Sequence, residues 1–489
     1  VRAEFGITDP LFSKQWHLMN PLQPGNDMNV VGAWRFGYTG RNVTISFIDD
    51  GINYHHKDLE DAFYMGGSYD FNDHVPLPMP RLPEDRHGTR CAGEVAGRRG
   101  NDVCGAGIAW DARVSGSRIL SGDLTEVEEA GSLTLDLQNN HIFSCSWGPA
   151  DNGKAMEGPP DIVLQAFLTG ITKGRGGKGS IYVFASGNGG SFGDNCNFDG
   201  YTNSIYSITI GAVDRHNQHP VYSEACSAVS AVAYSSMSPA TNSEPSGIST
   251  TDWPAECTES HGGTSAAAPL VSGILALALE ARPDLTWRDA QHLVIQTAEP
   301  IAFDPATAQP PGIMSDGVHW QPVAENRYYH HGFGFGRVNA EHLIQKALNW
   351  TLVAPQTHVD LTWSAPVDAA DPSQTGILFA RGAYPGSPTS RTATHVFNLT
   401  PEQRGAAGLG TIEHVTLVFK ATYPRRGEVR VRLTDPLGRV SVLSPGRRND
   451  VDSAGFVDWM FMSVVHWGLT GTQATLGKWT LVVDADAVN

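Results

Sequence analysis

The sequence predicts two structural classes in one chain: an α/β domain built on a parallel sheet, followed by an all-β sandwich. Three observations predict it. From about residue 40 to 350, short apolar runs alternate with helical patterns, the signature of βα units on a parallel sheet. After Trp350-Thr-Leu-Val-Ala-Pro355 the texture changes to alternating strands with Gly and Pro turns. With 489 residues, 40% hydrophobic and 17% charged, the chain also exceeds one ordinary core. The expected division is 1–350 and 351–489.

In chain order, Asn42-Val-Thr-Ile-Ser-Phe-Ile48, Ile142-Phe-Ser-Cys-Ser146, Ser180-Ile-Tyr-Val-Phe-Ala185 and Ile205-Tyr-Ser-Ile-Thr-Ile210 read as strands. Ala266 to Ala281 reads as a helix that is apolar nearly all round, and hence buried. Pro283 separates it from a second helix, Thr286 to Thr297. The longest apolar run, Leu270 to Ala281, is too short for a bilayer and is interrupted by Ser272 and Gly273, so no transmembrane segment is expected. In the second half, His414 to Phe419, Gly427 to Leu433 and Lys478 to Val483 alternate as strands. The start, Val1-Arg-Ala-Glu-Phe-Gly6, lacks a charged head followed by an apolar stretch; a signal peptide would lie outside the chain, which reads as already processed.

The formal charge of -17 is uneven. From Pro355 onward there are 12 basic and 12 acidic residues, leaving 22 and 39 before it. That excess disfavours nucleic acid as a partner and favours metal ions or basic peptides. All six cysteines (Cys91, Cys104, Cys145, Cys196, Cys226, Cys257) lie in the first part, and sequons at Asn42, Asn349 and Asn398 point to an oxidising, secretory route with one or two disulfides.

Asp49 and Asp50 close a strand at Phe47-Ile-Asp-Asp-Gly51, His87 opens His-Gly-Thr-Arg-Cys-Ala-Gly93, and Ser265 lies in His261-Gly-Gly-Thr-Ser-Ala-Ala-Ala-Pro269 at the mouth of the buried helix. Singly, each has a structural explanation as a cap or a buried polar residue. Together, in the order Asp, His, Ser, they match the arrangement of subtilisin-like enzymes. A serine hydroxyl needs a base to become a nucleophile, which casts His87 as general base and then acid, with Asp49 fixing its tautomer. Asn188, in Ala185-Ser-Gly-Asn-Gly-Gly190, and the Ser265 backbone amide would donate to the developing oxyanion.

These strings, with Tyr222-Ser-Glu-Ala-Cys226, Ser144-Cys-Ser-Trp-Gly-Pro149 and Thr286-Trp-Arg-Asp289, resemble the kexin/furin family of proprotein convertases, of the fungal kexin type. Downstream, Tyr423-Pro-Arg-Arg-Gly427, Gly455-Phe-Val-Asp-Trp-Met-Phe-Met462 and Gly477-Lys-Trp-Thr-Leu481 resemble the P domain, a jelly-roll-like β-sandwich. The resemblance implies a subtilisin-like catalytic domain at 1–350 and a P domain at 351–489. It also implies a further strand beyond Asn489, so the sandwich is expected to be incomplete.

Position by position, the resemblance implies Asp151 and Asp199 as carboxylates of an S1 pocket for arginine, beside Ser146, Trp147 and Gly148. Asp50 and Glu84 would line S2, and Glu129, Glu157 and Tyr201 would face P4. Glu84 and Glu157 stand where furin carries aspartates. A first calcium site would use Asp9, Asp58 and Asn101 with the carbonyls of Arg98, Val103 and Gly105, an oxygen set suited to Ca2+. A second would use Asp151, Asp194 and Glu224, carboxylates expected to cluster without basic partners. A third site known in furin looks lost, since Asp70 remains but Val75 and Leu77 fill its partner positions. Disulfides Cys104–Cys257 and Cys196–Cys226 are implied, leaving Cys91 and Cys145 free and Cys91 the thiol that mercurials or oxidants should reach.

The implied function is a calcium-dependent, monomeric serine endoprotease that cuts precursors after Lys-Arg or Arg-Arg in the secretory pathway. It would be restrained by its own propeptide, and be secreted or held at the Golgi membrane by an anchor outside this chain. The alternatives are a broad-specificity secreted subtilisin, which the P-domain strings oppose, and a catalytically dead binding module, which the intact triad opposes.

Overall fold

The computed structural model describes residues 1–237, 247–301, 319–361, 377–378, 391–470 and 477–485. A seven-stranded sheet forms the first part, from β1 (Thr44–Asp49), β2 (Tyr69–Asp70), β3 (Arg113–Arg118), β4 (Ile142–Cys145), β5 (Ile181–Ala185), β6 (Ser207–Val213) and β7 (Ala231–Tyr234). Their order is β2-β3-β1-β4-β5-β6-β7, and every pairing is parallel. All six residues of β1 are buried, as expected for a central parallel strand covered on both faces. The α/β layering and four of these strands were expected from the apolar runs.

The helix Thr264–Ala281 packs on β1 and β4 to β7, with every residue from Thr264 to Leu279 buried. Among the described helices it is the one long and apolar enough to cross a membrane by composition, yet 89% of it is buried inside the protein. It is longer than the apolar run from Leu270, and its buried surface is core. The helix Trp287–Thr297 begins at a Thr286 and Asp289 capping box.

The hairpin β8 (Ile248–Asp252) and β9 (Glu256–His261) runs into that core helix and also holds the helix His87–Ala96. Thr250 and Thr251 hydroxyls donate to the Arg90 and Thr89 carbonyls, and Arg90 pairs with Asp252 at 2.8 Å. One hairpin therefore sets two helix starts relative to each other.

The second part has two sheets. One joins Ile377–Leu378, Val415–Thr422 and Phe456–Ser463, the first pairing parallel and the second antiparallel; the other joins Arg391–Leu399, Gly477–Ala485, Val429–Thr434 and Val440–Ser444, all antiparallel. This is the expected sandwich texture. The two parts share apolar cores: Phe198 packs among Phe419, Phe456 and Phe461, while Cys196, Cys226 and Tyr329 pack with Met462, Val465 and Trp467. Polar contacts thread the same interface, including Asn203 to the Met460 carbonyl at 2.7 Å and Ser227 to the Met462 carbonyl at 2.7 Å.

Candidate active site

The site forms at the carboxyl ends of the parallel strands, where α/β sheets place ligands. Asp49 ends β1, Ser146 follows β4, Ser186 to Asn188 follow β5, and His87 and Ser265 occupy the first turns of their helices. The Asp49 carboxylate meets His87 Nδ1 at 2.8 and 2.9 Å, and is itself held by the Asp50 amide at 2.8 Å. Burial is the strongest single influence and disfavours the imidazolium, but Asp49 and the Cys91 sulfur together raise His87 well above the usual histidine value. With Nδ1 so engaged, Nε2 is left for the serine. Cys91 bridges the two helices: its sulfur lies 3.8 Å from His87 Nδ1 and 3.6 Å from the Ser265 carbonyl.

Asn188 is oriented by Thr264, a residue the sequence reading did not single out. The Thr264 amide and hydroxyl both approach Asn188 Oδ1, at 2.9 and 3.1 Å, which fixes which end of the amide is the donor. Ser146 donates to the Ser265 carbonyl at 3.1 Å. The Thr-Ser pair at the helix mouth was the available signal.

Asp50 is turned to a local task. Its two oxygens accept the His87 and Gly88 amides at 2.8 and 2.7 Å, capping the histidine helix. Burial and then Asp49 push it up to about 7. Glu84 is exposed, whereas its neighbour Asp85 is buried against Arg118 at 3.3 Å and Ser121 at 2.8 Å.

Asp151 and Asp199 line one cavity, with Pro149, Ala155, Phe198 and Glu224 among its other walls. Burial pushes Asp199 up to about 7 against the pull of the Tyr201 and Thr202 amides, and Asp151 adds to it. Asp151 is exposed as a residue, yet partial desolvation raises its carboxyl too. A Cβ on Gly148 would lie 2.8 Å from Asp199 Oδ2, so any larger residue there would push that carboxylate aside. Trp147 packs edge-on against Tyr201 at 5.1 Å. Of the residues assigned to P4, Glu129 and Tyr201 are buried and joined by a 2.5 Å hydrogen bond, while Glu157 is exposed beside Asp199.

The acids assigned to calcium also gather. Asp9 accepts the Gly100 and Asn101 amides at 2.6 and 3.3 Å, and Asn101 Nδ2 donates to Asp58 at 2.8 Å. The Arg98 amide donates to the Asp58 carbonyl, and the Val103 amide to Asn101 Oδ1. Asp58 Oδ2 and the Gly105 carbonyl converge on Gly97, where an added Cβ would meet them at 3.0 and 3.2 Å. Burial pushes Asp58 up to about 8 despite the Asn101 amide, with Asp9 adding to it. A buried oxygen cluster that resists carrying its own charge is the chemistry a hard cation fits.

In the second cluster, burial raises Glu224 well above the carboxylate range, with Asp194 and Asp151 adding to it. The expectation that these acids lack basic partners is corrected: the fully buried Arg447, from the sandwich, donates to Asp194 at 3.1 Å. Nothing near residue 194 in sequence could announce a cation 253 positions away. Asp70, left from the third site, is buried against Arg118 at 3.2 Å.

The structure pairs Cys104 with Cys257 and Cys196 with Cys226. Cys91 and Cys145 are free, but both are buried, and burial pushes the Cys91 thiol up to about 12. The expectation that mercurials or oxidants reach Cys91 is therefore corrected: as a structural neighbour of the histidine it is a buried thiol packed between His87 and His261.

Residues 40–336 match the subtilase family, and residues 412–489 match the proprotein convertase P-domain. The chain belongs to the subtilase family. It is 46% identical over 480 residues to kexin of Saccharomyces cerevisiae, covering 98% of this chain and 54% of that protein. It is 45% identical to the dibasic-processing endoprotease of Schizosaccharomyces pombe and 41% identical to furin of Homo sapiens, again over 98% of this chain, and covers 63% and 55% of those proteins. It thus spans little more than half the length of these relatives. A serine protease of Aeromonas sobria shares the fold, with a TM-score of 0.77 and 21% identity over 98% of this chain and 89% of that one.

Proposed function

We propose that this subtilase is a calcium-dependent serine endoprotease that cleaves precursor proteins after paired basic residues. The observation that carries the reading is the pair Asp151 and Asp199 in one cavity, both raised by desolvation and by each other or by neighbouring acids. Such a pair is costly while empty and gains most from a guanidinium.

Catalysis follows from the geometry around it. His87 Nε2 takes the Ser265 hydroxyl proton as Oγ bonds to the scissile carbonyl carbon. Asp49, at 2.8 Å, stabilises the imidazolium that forms. The Asn188 side-chain amide, oriented by Thr264, and the Ser265 backbone amide would donate to the oxyanion. His87 then returns the proton to the leaving amine as the C–N bond breaks, and water repeats the sequence on the acyl-enzyme. Asp50 and Glu84 are assigned to a basic P2 residue, and Glu129, Glu157 and Tyr201 to P4. Asp9, Asp58 and Asn101 would hold one calcium ion, and Asp151, Asp194 and Glu224 a second, where bound calcium would supply positive charge among crowded acids. The domains would divide near residue 350.

The exposed asparagines of the sequons at Asn42, Asn349 and Asn398 and the two disulfides support a secretory-pathway setting. Restraint by the chain's own propeptide is part of the same reading. The test is a pair of fluorogenic peptides, one ending in Lys-Arg and one in Lys-Leu, assayed with calcium and with excess chelator after time for slow metal release. We expect fast cleavage after Arg only, abolished by chelator. Equal rates on both peptides would replace the reading with a broad-specificity subtilisin.

A further inference from the structure

The loops that carry the proposed P1 acids are not held by the α/β part alone. We propose that Arg447, in the sandwich loop between Val440–Ser444 and Phe456–Ser463, is a positioning residue for the P1 pocket. The inference rests on the reading of Asp151 and Asp199 as the acids that receive arginine.

Two loops build that pocket. One runs from Asp151 to Glu157, the other from Phe192 to Asp199, and the Gly153 amide ties them by donating to Asp194 Oδ2 at 2.7 Å. Arg447 enters at this junction with a fully buried side chain. One terminal nitrogen donates to Asp194 Oδ1 at 3.1 Å and to the Ala155 carbonyl at 2.6 Å. The other donates to the Lys154 carbonyl at 3.2 Å and pairs with Asp450. The guanidinium carbon lies 3.6 Å from the centre of the Phe198 ring, one residue before Asp199. A single planar cation thus touches both loops and a carboxylate of the pocket cluster. A lysine has three donors on a point charge and cannot make the same set of contacts.

Arg426 supplies the internal comparison. It donates to the same Lys154 carbonyl at 2.9 Å and to the same Asp450 at 2.7 Å, and its third partner is Asp452 rather than an acid of the pocket. Loss of Arg426 should loosen docking, whereas loss of Arg447 should also misplace the pocket.

The experiment compares the whole chain with R447M, R426M and R447K. Three measurements are made on each: steady-state cleavage of a Lys-Arg peptide, fluorophosphonate labelling of Ser265, and amide hydrogen exchange of segments 150–157 and 192–199. For R447M we expect KM to rise about tenfold and kcat to stay within about twofold, the effect of losing one charge-assisted contact that acts on substrate binding. Labelling of Ser265 should stay near wild type, and both segments should exchange faster than in R426M. Equal KM changes in R426M and R447M, or unchanged exchange in the two segments, would overturn the proposal. If R447M does not fold, R447K carries the test, with a smaller KM rise and faster exchange in the same segments; wild-type values for both would overturn it. A wild-type chain indifferent between Arg and Leu at P1 would instead overturn the pocket reading beneath it, and is recognised before any variant is made.

Discussion

Buried acids behave in opposite ways in the two parts of the molecule. Around the candidate active site and the first acid cluster, Asp50 and Asp199 are pushed up to about 7, Asp58 to about 8, and Glu224 well above the usual carboxylate value, in each case first by burial. In the sandwich, burial acts on Glu413 and Asp435 too, yet both end below the usual range. Glu413 falls to about 2 because His292 and Arg288 hydrogen-bond to it, and Asp435 falls because His466 does. The residue type is the same and the degree of burial is comparable. What differs is whether the fold brings a cation to the acid. In the sandwich the acids are spent on structure. At the site they are kept short of partners, which leaves charge for a ligand to satisfy at a cost in stability.

The most drastic way to break the comparison is to remove one side of it. Deleting everything after Pro355 is expected to abolish peptide cleavage, because Phe198, Cys196 and Tyr329 lose the apolar partners they share with the sandwich. A soluble, fully active truncated chain would show that the α/β part needs no such cover.

Next in size is Glu413→Gln. Arg288 and His292 would be left buried against a neutral amide, at a cost of about 3–5 kcal/mol in chemical denaturation. The sign with pH is definite. A carboxylate held at about 2 contributes stability that is present above its unfolded value, near 4.5, and is lost as pH falls through 2. Wild type should therefore lose its advantage over the variant in that window.

Asp199→Asn should do the reverse. Its amide oxygen can still accept the Tyr201 amide, so the fold keeps a hydrogen bond and sheds an uncompensated charge. Melting at neutral pH should rise by the equivalent of about 1 kcal/mol, while kcat/KM for a P1-Arg peptide falls about a hundredfold, the discrimination a charged pocket supplies. Destabilisation together with retained Arg preference would reverse the contrast.

The smallest effect concerns Asp50. Its carboxyl is about half ionised near pH 7, so the ratio of kcat/KM for Lys-Arg over Ala-Arg peptides should climb as pH rises through 7. His87 affects both peptides equally and cancels. A flat ratio from pH 6 to 8 would mean that Asp50 serves only as the helix cap.

Much of this was legible in the sequence, for a physical reason. Asp49, His87 and Ser265 sit in local strings whose backbone conformation is decided within a few residues: a strand end, and two helix starts. The strands from Thr44, Ile142 and Ile181 likewise follow from apolar runs that need both faces covered. Pairings across long separations were not legible. Arg447 reads as one more solvated base until the fold carries it to Asp194, and Cys91 reads as a thiol beside a catalytic histidine until the β8–β9 hairpin closes over its helix. Asp50 lies between these cases, because its charge was visible but its capping of the His87 and Gly88 amides was not.

The distance between Arg447 and its partners also has a meaning in time. Arg447 follows Lys154, whose carbonyl it holds, by 293 residues. At synthesis rates of about 5–20 residues per second, about 15–60 s separate the loop from its clamp. Asp49, His87 and Ser265 are all made before that clamp appears. Ser265 precedes Arg447 by 182 residues, so for about 9–36 s of that interval the nascent chain would carry Asp49, His87 and Ser265 without the contact that braces the loops around Asp151 and Asp199, and any selectivity resting on those loops would wait for the sandwich loop to be made.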